Sequence, residues 1–381
     1  MSVVVVGAGQ AGFQTALSLR SEGYDGSITL IGEEPHLPYQ RPPLSKGFLA
    51  GKQSIESAAL RPESFYTAQR VEVIANNAVV AIDRASNRVV LASGSRVEYD
   101  KLVLATGARV RKLPREGVFY LRTRDDASEL KQRLNAAESV AVIGGGFIGL
   151  EVASAARALG KSVTVFELQE RLMARCVSPL ISEFYRRVHS GNGVKIELGA
   201  PAVAPDADVV VAGIGVLPNS ELALDAGLPV ANGIIVDEYL RTGDENIFAI
   251  GDCASHPNAF AGTRTRLESV QNAVDQAKCV AANIAGRAEP YHAVPWFWTD
   301  QFDIKLQMAG FSGGADREAV RGDPESRKFS VFYFRAGRLI AADSINRPGD
   351  HIVARKLLAA AIAPTPDQAA DESFDLKSLV D

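Results

Sequence analysis

Two stretches of the chain share one pattern: a run of consecutive apolar residues, a glycine-rich turn, apolar positions at helical spacing, and a second apolar run that ends near a glutamate. The first consists of "SVVVVG", residues 11 to 22, and "SITLIGEE". The second consists of "SVAVIGG", a helix expected from about Phe147 to Leu159, and "SVTVFE". Runs that are apolar throughout, rather than alternating, predict strands buried on both faces of a parallel sheet, so each stretch reads as a βαβ unit. From Pro295 onward the texture changes. "KFSVFYFRAGRLIAADSI" predicts two strands around an Ala336–Gly337 turn, and Asp350 to Ile362 predicts a helix, which together suggest a separate α+β domain.

The glycine turns carry the first chemical signal. In the first, Gly7 permits a tight bend, Gly9 lets a pyrophosphate approach the backbone, and Gly12 lets the helix pack closely on its strand. The helix N-terminus then offers unpaired N–H groups and a positive dipole end to phosphate. An acid to accept ribose hydroxyls is expected about 20 residues on, and Glu33 follows Gly12 by 21. The second turn repeats each element with Gly144, Gly146 and Gly149, and Glu167 follows 18 residues after Gly149. A carboxylate at that position binds a ribose and repels a 2′-phosphate, which favours NADH over NADPH. Arg171 and Arg175 come soon after; Arg171 reads as a solvated surface charge. Two Rossmann-like cradles in one chain imply two adenine dinucleotides, and the economical reason for both is electron transfer between them.

Composition narrows the class. With 381 residues, 46% hydrophobic and 23% charged, the chain reads as an ordinary globular protein of two or three domains. The net charge of −4 gives no global attraction for nucleic acid. Val3 to Val6 is too short for a signal peptide's apolar core, and no run approaches the roughly 18 residues of a membrane span, so a cytoplasmic, membrane-free protein is expected. Cys176, Cys253 and Cys279 form no C-x-x-C pair, and fewer than four thiols cannot hold an iron–sulfur cluster. His189, His256 and His292 lack metal-ligand spacing, so no metal site is expected.

The ordered set "GAGQAG", "PYQRPPLSK", "LVLATGAR", "GGGFIGLE", "IFAIGDCA", "RLESVQNAVDQA" and "PWFWTDQFD" resembles the NADH-dependent ferredoxin reductases of bacterial oxygenase systems over nearly the whole chain. The resemblance implies a glutathione-reductase-like FAD/NAD architecture. Residues 1–110 and 234–292 would bind FAD, 111–233 would bind NADH, and 293–381 would form the C-terminal α+β domain. FAD contacts are implied at Gly7, Gly9, Ala11, Gly12, Glu33, Arg41, Lys46, Val79, Thr106, Gly107, Arg122, Asp252, Val270 and Trp298, with Asp252 of "GDCA" on the ribityl chain. NADH contacts are implied at Gly144, Gly146, Phe147, Ile148, Gly149, Glu151, Glu167, Arg175 and Gly213. The activity implied is electron transfer from NADH through FAD to a small ferredoxin, [2Fe-2S] in type, or to a rubredoxin, in the service of an oxygenase.

Lys46 and Glu151 are the catalytic candidates. Pro38, Pro42 and Pro43 restrict the backbone around Arg41 and Lys46; read alone, that segment is a rigid loop with solvated charges, and Glu151 is a dipole-favoured acid near a helix start. The resemblance instead sets Lys46 near the flavin, facing Glu151, where the pair could polarise it as negative charge develops. NADH oxidases, NADH peroxidases and disulfide reductases of similar architecture use a cysteine where this chain has "LSKGF", and lysine forms neither sulfenic acid nor disulfide. Trp296, Phe297 and Trp298, which read alone are core packing, are set over the flavin by the resemblance. The other function class open to this plan is a regulatory NADH-binding flavoprotein similar to apoptosis-inducing factor; an NADH oxidase is a further alternative. One departure stands out: after "VKIELGA" the family has a hairpin of some twenty-odd residues, where this chain has "PAVAPD". A shorter gap falls near "KLPREGVFY".

Overall fold

A computed structural model describes residues 1–201 and 206–380. The truncated stretch after Gly199 therefore lies partly outside the described residues. The chain forms two compact units: residues 1–40, 58–109 and 217–293 make the first, and residues 41–57, 110–216 and 294–381 make the second.

The first unit is built on a five-stranded parallel sheet in the order Ile247–Ala249, Lys101–Leu104, Ser2–Val6, Ser27–Ile31, Val71–Ile74. Val3, Val4 and Val5 are all buried, as are Leu102, Val103 and Leu104 beside them, because these central strands are covered on both faces, whereas the edge strand Val71–Ile74 is only partly buried. Each such side chain contributes roughly 1.5–3 kcal/mol by leaving water. Helix Gln10–Ser21 follows the first strand and packs against helix Val270–Ile284. The chain order reverses beside Ser2–Val6, the topological switch point where ligands bind in such sheets.

The second unit repeats this plan. Val194–Leu198, Ser162–Glu167, Ser139–Ile143, Val209–Ala212 and Val118–Phe119 form another parallel sheet in that order. Even the register matches: Ser139 pairs with Ser162 as Ser2 pairs with Ser27. Helix Phe147–Ala158 occupies the place of Gln10–Ser21. The same unit contains an antiparallel sheet in the order Trp296–Gln301, Ile304–Gly310, Arg338–Ile345, Lys328–Arg335, Arg317–Asp323. The predicted hairpin turn is present, with Ala336 and Gly337 both at positive φ. The helix predicted from Asp350 to Ile362 runs from Pro348 to Ala359 and packs on the strands Ile304–Gly310 and Arg338–Ile345; a short helix, Pro366–Ala370, follows it.

The units and the sequence-based boundaries part in three places. The segments expected as the NADH-binding and C-terminal domains group together in the second unit. Residues 217–233 group with the first unit, where Asn219 is tied to the 106–107 backbone. Residues 41–57 group with the second, because the short 3-10 helix Pro42–Ser45 packs on helix Phe147–Ala158.

Candidate functional site

The two glycine turns have one geometry. Gly7 sits at φ +111°, and a Cβ there would lie 2.1 Å from the Ala105 carbonyl oxygen; a Cβ at Gly12 would lie 2.0 Å from that of Gly7. In the second unit, a Cβ at Gly144 (φ +105°) would lie 2.5 Å from the Gly213 carbonyl oxygen, and one at Gly149 would lie 2.0 Å from that of Gly144. The outer glycines are therefore fixed by backbone packing. The middle ones differ: a Cβ at Gly9 would meet nothing within 4 Å, and one at Gly146 only the Gly213 oxygen at 4.0 Å. Each middle glycine also caps its helix without a side-chain hydrogen bond, so no capping side chain occupies the first-turn N–H groups. This is a cradle for an anion such as a pyrophosphate, and both turns fit a dinucleotide.

The first unit gathers ten of the expected residues. Ala11 faces Gly251, whose added Cβ would lie 3.2 Å from that of Ala11, and Asp252 follows directly. The Gly251 N–H donates to Oε1 of buried Gln276 (2.7 Å), which fixes the backbone from which Asp252 projects. Thr106 Oγ1 donates to the Asn219 carbonyl (2.6 Å), and Asn219 N–H donates to Gly107 (2.9 Å). Gly32 exchanges backbone hydrogen bonds with Ile74 and Asn77, which draws the segment leading into Val79 beside the loop bearing exposed Glu33. Val270 opens its helix behind the Ser269 cap. Sequence reading missed Gln276 and Asn219, since neither lies in a glycine turn nor carries charge.

Arg41, Lys46, Arg122 and Trp298 lie in the second unit with all the NADH candidates. Arg41 donates to the Arg122 carbonyl at 2.6 Å. Glu167 is held by two N–H donors, Gly145 (2.7 Å) and Gln169 (2.8 Å), so its carboxylate is locked against the glycine turn. Arg175 is exposed near Gly215. Arg171 is not the solvated charge expected: its guanidinium turns inward to the carbonyls of Ala174 and Val177 and to Ser182, because the irregular 171–178 backbone needs donors for its carbonyls. Ile148 is exposed at the helix start, and the Phe147 ring packs on Phe297 at 4.7 Å. Trp298 lies beside Trp296, 5.7 Å between centroids.

The catalytic candidates meet. Lys46 Nζ lies 2.7 Å from Glu151 Oε1, with the carboxylate buried and the ammonium about one-fifth exposed. The 3-10 turn explains the encounter: Lys46 N–H bonds back to Pro43, which sends Ser45 and Lys46 toward the same helix. Ser45 Oγ donates to Glu151 Oε2 (2.5 Å), and Thr299 Oγ1 donates to Oε1 (2.6 Å). A buried carboxylate needs such partners to remain ionised. Neither Ser45 nor Thr299 was marked in the sequence, although both lie in the quoted motifs.

The partners that hold this pair are hydroxyls, not thiols. Cys253 and Cys279 form no disulfide; burial pushes the thiol of Cys253 up, and that of Cys279 to about 12. Among the described residues, no three His, Cys, Asp or Glu side chains are placed to hold a metal ion, and no helix is long and apolar enough to cross a membrane.

Residues 1–277 match the pyridine nucleotide-disulphide oxidoreductase family, and residues 296–380 match a reductase C-terminal family. The chain is 50% identical over 403 residues to rhodocoxin reductase of Rhodococcus erythropolis, covering 100% of this chain and 94% of that protein. That alignment has 403 − 381 = 22 positions more than this chain has residues. The structure of the ferredoxin reductase for the CYP199A2 system of Rhodopseudomonas palustris matches with a TM-score of 0.96 and 48% identity over 100% of both chains. Putidaredoxin reductase in its covalent complex with putidaredoxin matches with a TM-score of 0.95 and 39% identity over 100% of this chain and 98% of that one. With two glycine cradles of one geometry and a C-terminal sheet in the matching place, the chain belongs to the pyridine nucleotide-disulphide oxidoreductase family.

Proposed function

We propose that this protein is an FAD-dependent NADH:ferredoxin oxidoreductase. The observation that carries it is the duplicated cradle together with a lysine, not a thiol, paired to Glu151. FAD, when bound, supplies the conversion of a two-electron donor's equivalents into single electrons for a small carrier. The cradle of the first unit, with Gly7, Gly9, Gly12, Glu33 and Asp252, is assigned to FAD. The cradle of the second unit, with Gly144, Gly146, Gly149 and Glu167, is assigned to NADH. There, the helix N-terminus binds the pyrophosphate, and the Glu167 carboxylate takes ribose hydroxyls while repelling a 2′-phosphate.

Lys46 and Glu151 are assigned to the electron-transfer step. A fixed ammonium stabilises negative charge as it develops, and fixing it beforehand avoids reorganisation during the reaction. Glu151 holds that ammonium in place. The electron acceptor is assigned as a ferredoxin of the [2Fe-2S] type that serves an oxygenase, in line with the ferredoxin reductases the chain resembles. The test is reconstitution with FAD followed by anaerobic stopped-flow mixing with NADH and then with a panel of ferredoxins and a rubredoxin. Rapid flavin bleaching and rapid reduction of a ferredoxin are expected. Failure to take up FAD, or reduced flavin that persists with every carrier, overturns the assignment.

A further inference from the structure

Glu151, Thr299, Gln301 and His189 are all buried within the second unit, and they form one continuous chain of hydrogen bonds. Their direction is fixed by chemistry. An ionised carboxylate only accepts, so Thr299 Oγ1 donates its proton to Glu151 (2.6 Å) and is left to accept from Gln301 Nε2 (3.2 Å). The Gln301 amide is thereby oriented with Oε1 toward His189, whose Nε2–H donates at 2.8 Å. Burial keeps the imidazole neutral by pushing its pKa down to about 4, and the Gln301 Oε1 acceptor selects the Nε2–H tautomer. Two elements thus reach the carboxylate directly, the 3-10 turn leading to Ser45 and Lys46 and the strand Trp296–Gln301, and the helix Pro179–Gly191 backs that strand through His189.

We infer that Thr299, backed by Gln301 and His189, is a positioning residue for the Lys46–Glu151 pair: it holds the carboxylate in the orientation that aims the ammonium. The inference rests on the assignment of that pair to electron transfer. Every hydrogen bond in the series points toward Glu151, so each donor sharpens the next. A purely structural role would need only that buried polar atoms be satisfied.

The test uses the FAD-loaded protein with Thr299→Val and Thr299→Ser. Thr299→Val keeps shape and removes the donor, and a charge-assisted hydrogen bond of this kind corresponds to about a tenfold effect. Flavin reduction by NADH is expected to slow about tenfold, with KM for NADH within twofold, and the flavin midpoint potential is expected to shift; Thr299→Ser is expected to restore both. Gln301→Met, which interrupts the chain one step further out, is expected to give a smaller change in the same sense and stands in should Thr299→Val not fold. A wild-type rate and potential in Thr299→Val and Gln301→Met, or equal defects in the Val and Ser variants, overturns the inference. Glu151→Gln separates the two levels. If it slows reduction while Thr299→Val does not, the relay alone is wrong; if it changes nothing, the assignment of the pair falls and the relay with it.

Discussion

Substituting the middle glycine of each cradle separates binding from folding. Gly9 has φ −86° and ψ −163°, and Gly146 has φ −82° and ψ −178°, conformations open to any residue. An alanine Cβ meets nothing within 4 Å at Gly9 and only one oxygen at 4.0 Å at Gly146. Folding should therefore suffer no loss, and Gly→Ala at a compatible site gains about 0.4–1 kcal/mol from the unfolded state. The added methyl instead occupies the space where a pyrophosphate meets the helix N–H groups. Displacing one charge-assisted hydrogen bond costs about 1.5–3 kcal/mol, or roughly ten- to a hundredfold in affinity. Gly9→Ala should weaken FAD binding by that factor, read by fluorescence titration of the apoprotein. Gly146→Ala should raise KM for NADH similarly and leave FAD content unchanged, with the apoprotein Tm unchanged or slightly raised in both. Gly12→Ala and Gly149→Ala are the controls, because their Cβ atoms would fall 2.0 Å from backbone oxygens and should lower Tm instead. A Gly9→Ala protein with normal FAD affinity refutes the cradle, and FAD loss confined to Gly146→Ala reverses the assignment of the two cofactors.

Lys46→Met leaves the buried Glu151 carboxylate with two hydroxyl donors only. It should destabilise the protein by somewhat less than the about 3–5 kcal/mol typical of a broken buried pair, and Lys46→Met with Glu151→Gln should recover much of that in urea unfolding; simple additivity of the two changes contradicts the coupling. His189, His256 and His351 each have a pKa pushed down to about 4 by burial. Their unfolded forms take up protons below about 6.5 while the folded ones do not, so stability should be full above that pH and fall as pH drops toward 4, read as Tm against pH. Burial raises the Asp343 pKa to about 7, while Tyr333 donates to its carboxylate at 2.8 Å. Here the sign is opposite: the folded form holds its proton longer, so its contribution is lost as pH rises through about 7, and Asp343→Asn should raise Tm relative to wild type more at pH 8 than at pH 5.

What could be read from the sequence was whatever repeats locally. Consecutive valines mark parallel strands because both sheet faces are covered, and glycine spacing marks the cradles because backbone contact at Gly12 and Gly149 excludes a side chain. The residues that complete the site are set by long-range packing and leave no periodic trace. Thr299 meets Glu151 across 148 residues and Ser45 meets it across 106, and hydroxyls inside an aromatic or proline-rich motif look like any others. The 41–57 segment reads as a proline-stiffened loop, and only its packing on helix Phe147–Ala158 shows which unit it joins. Arg171 misled for a related reason. A charged residue in an irregular stretch usually faces water, but this one serves the carbonyls of its own loop.

That loop suggests how one cradle suits a substrate that comes and goes. Arg171 ties together the carbonyls of Ala174 and Val177, Met173 N–H bonds to the Gly145 carbonyl (2.9 Å), and the Gly145 N–H donates to Glu167. The glycine turn, Glu167 and the loop after it thus hold one another through the protein's own hydrogen bonds. A ligand that exchanges at every turnover would otherwise order these groups each time, at roughly 0.5–1.5 kcal/mol per immobilised side chain. Preorganisation shifts that cost into folding, where the buried strands on either side of Ser139–Ile143 offset it. The Lys46–Glu151 pair follows the same logic one turn along the helix: Ser45 and Thr299 hold its carboxylate, so that in the proposed electron-transfer role the ammonium is fixed beforehand.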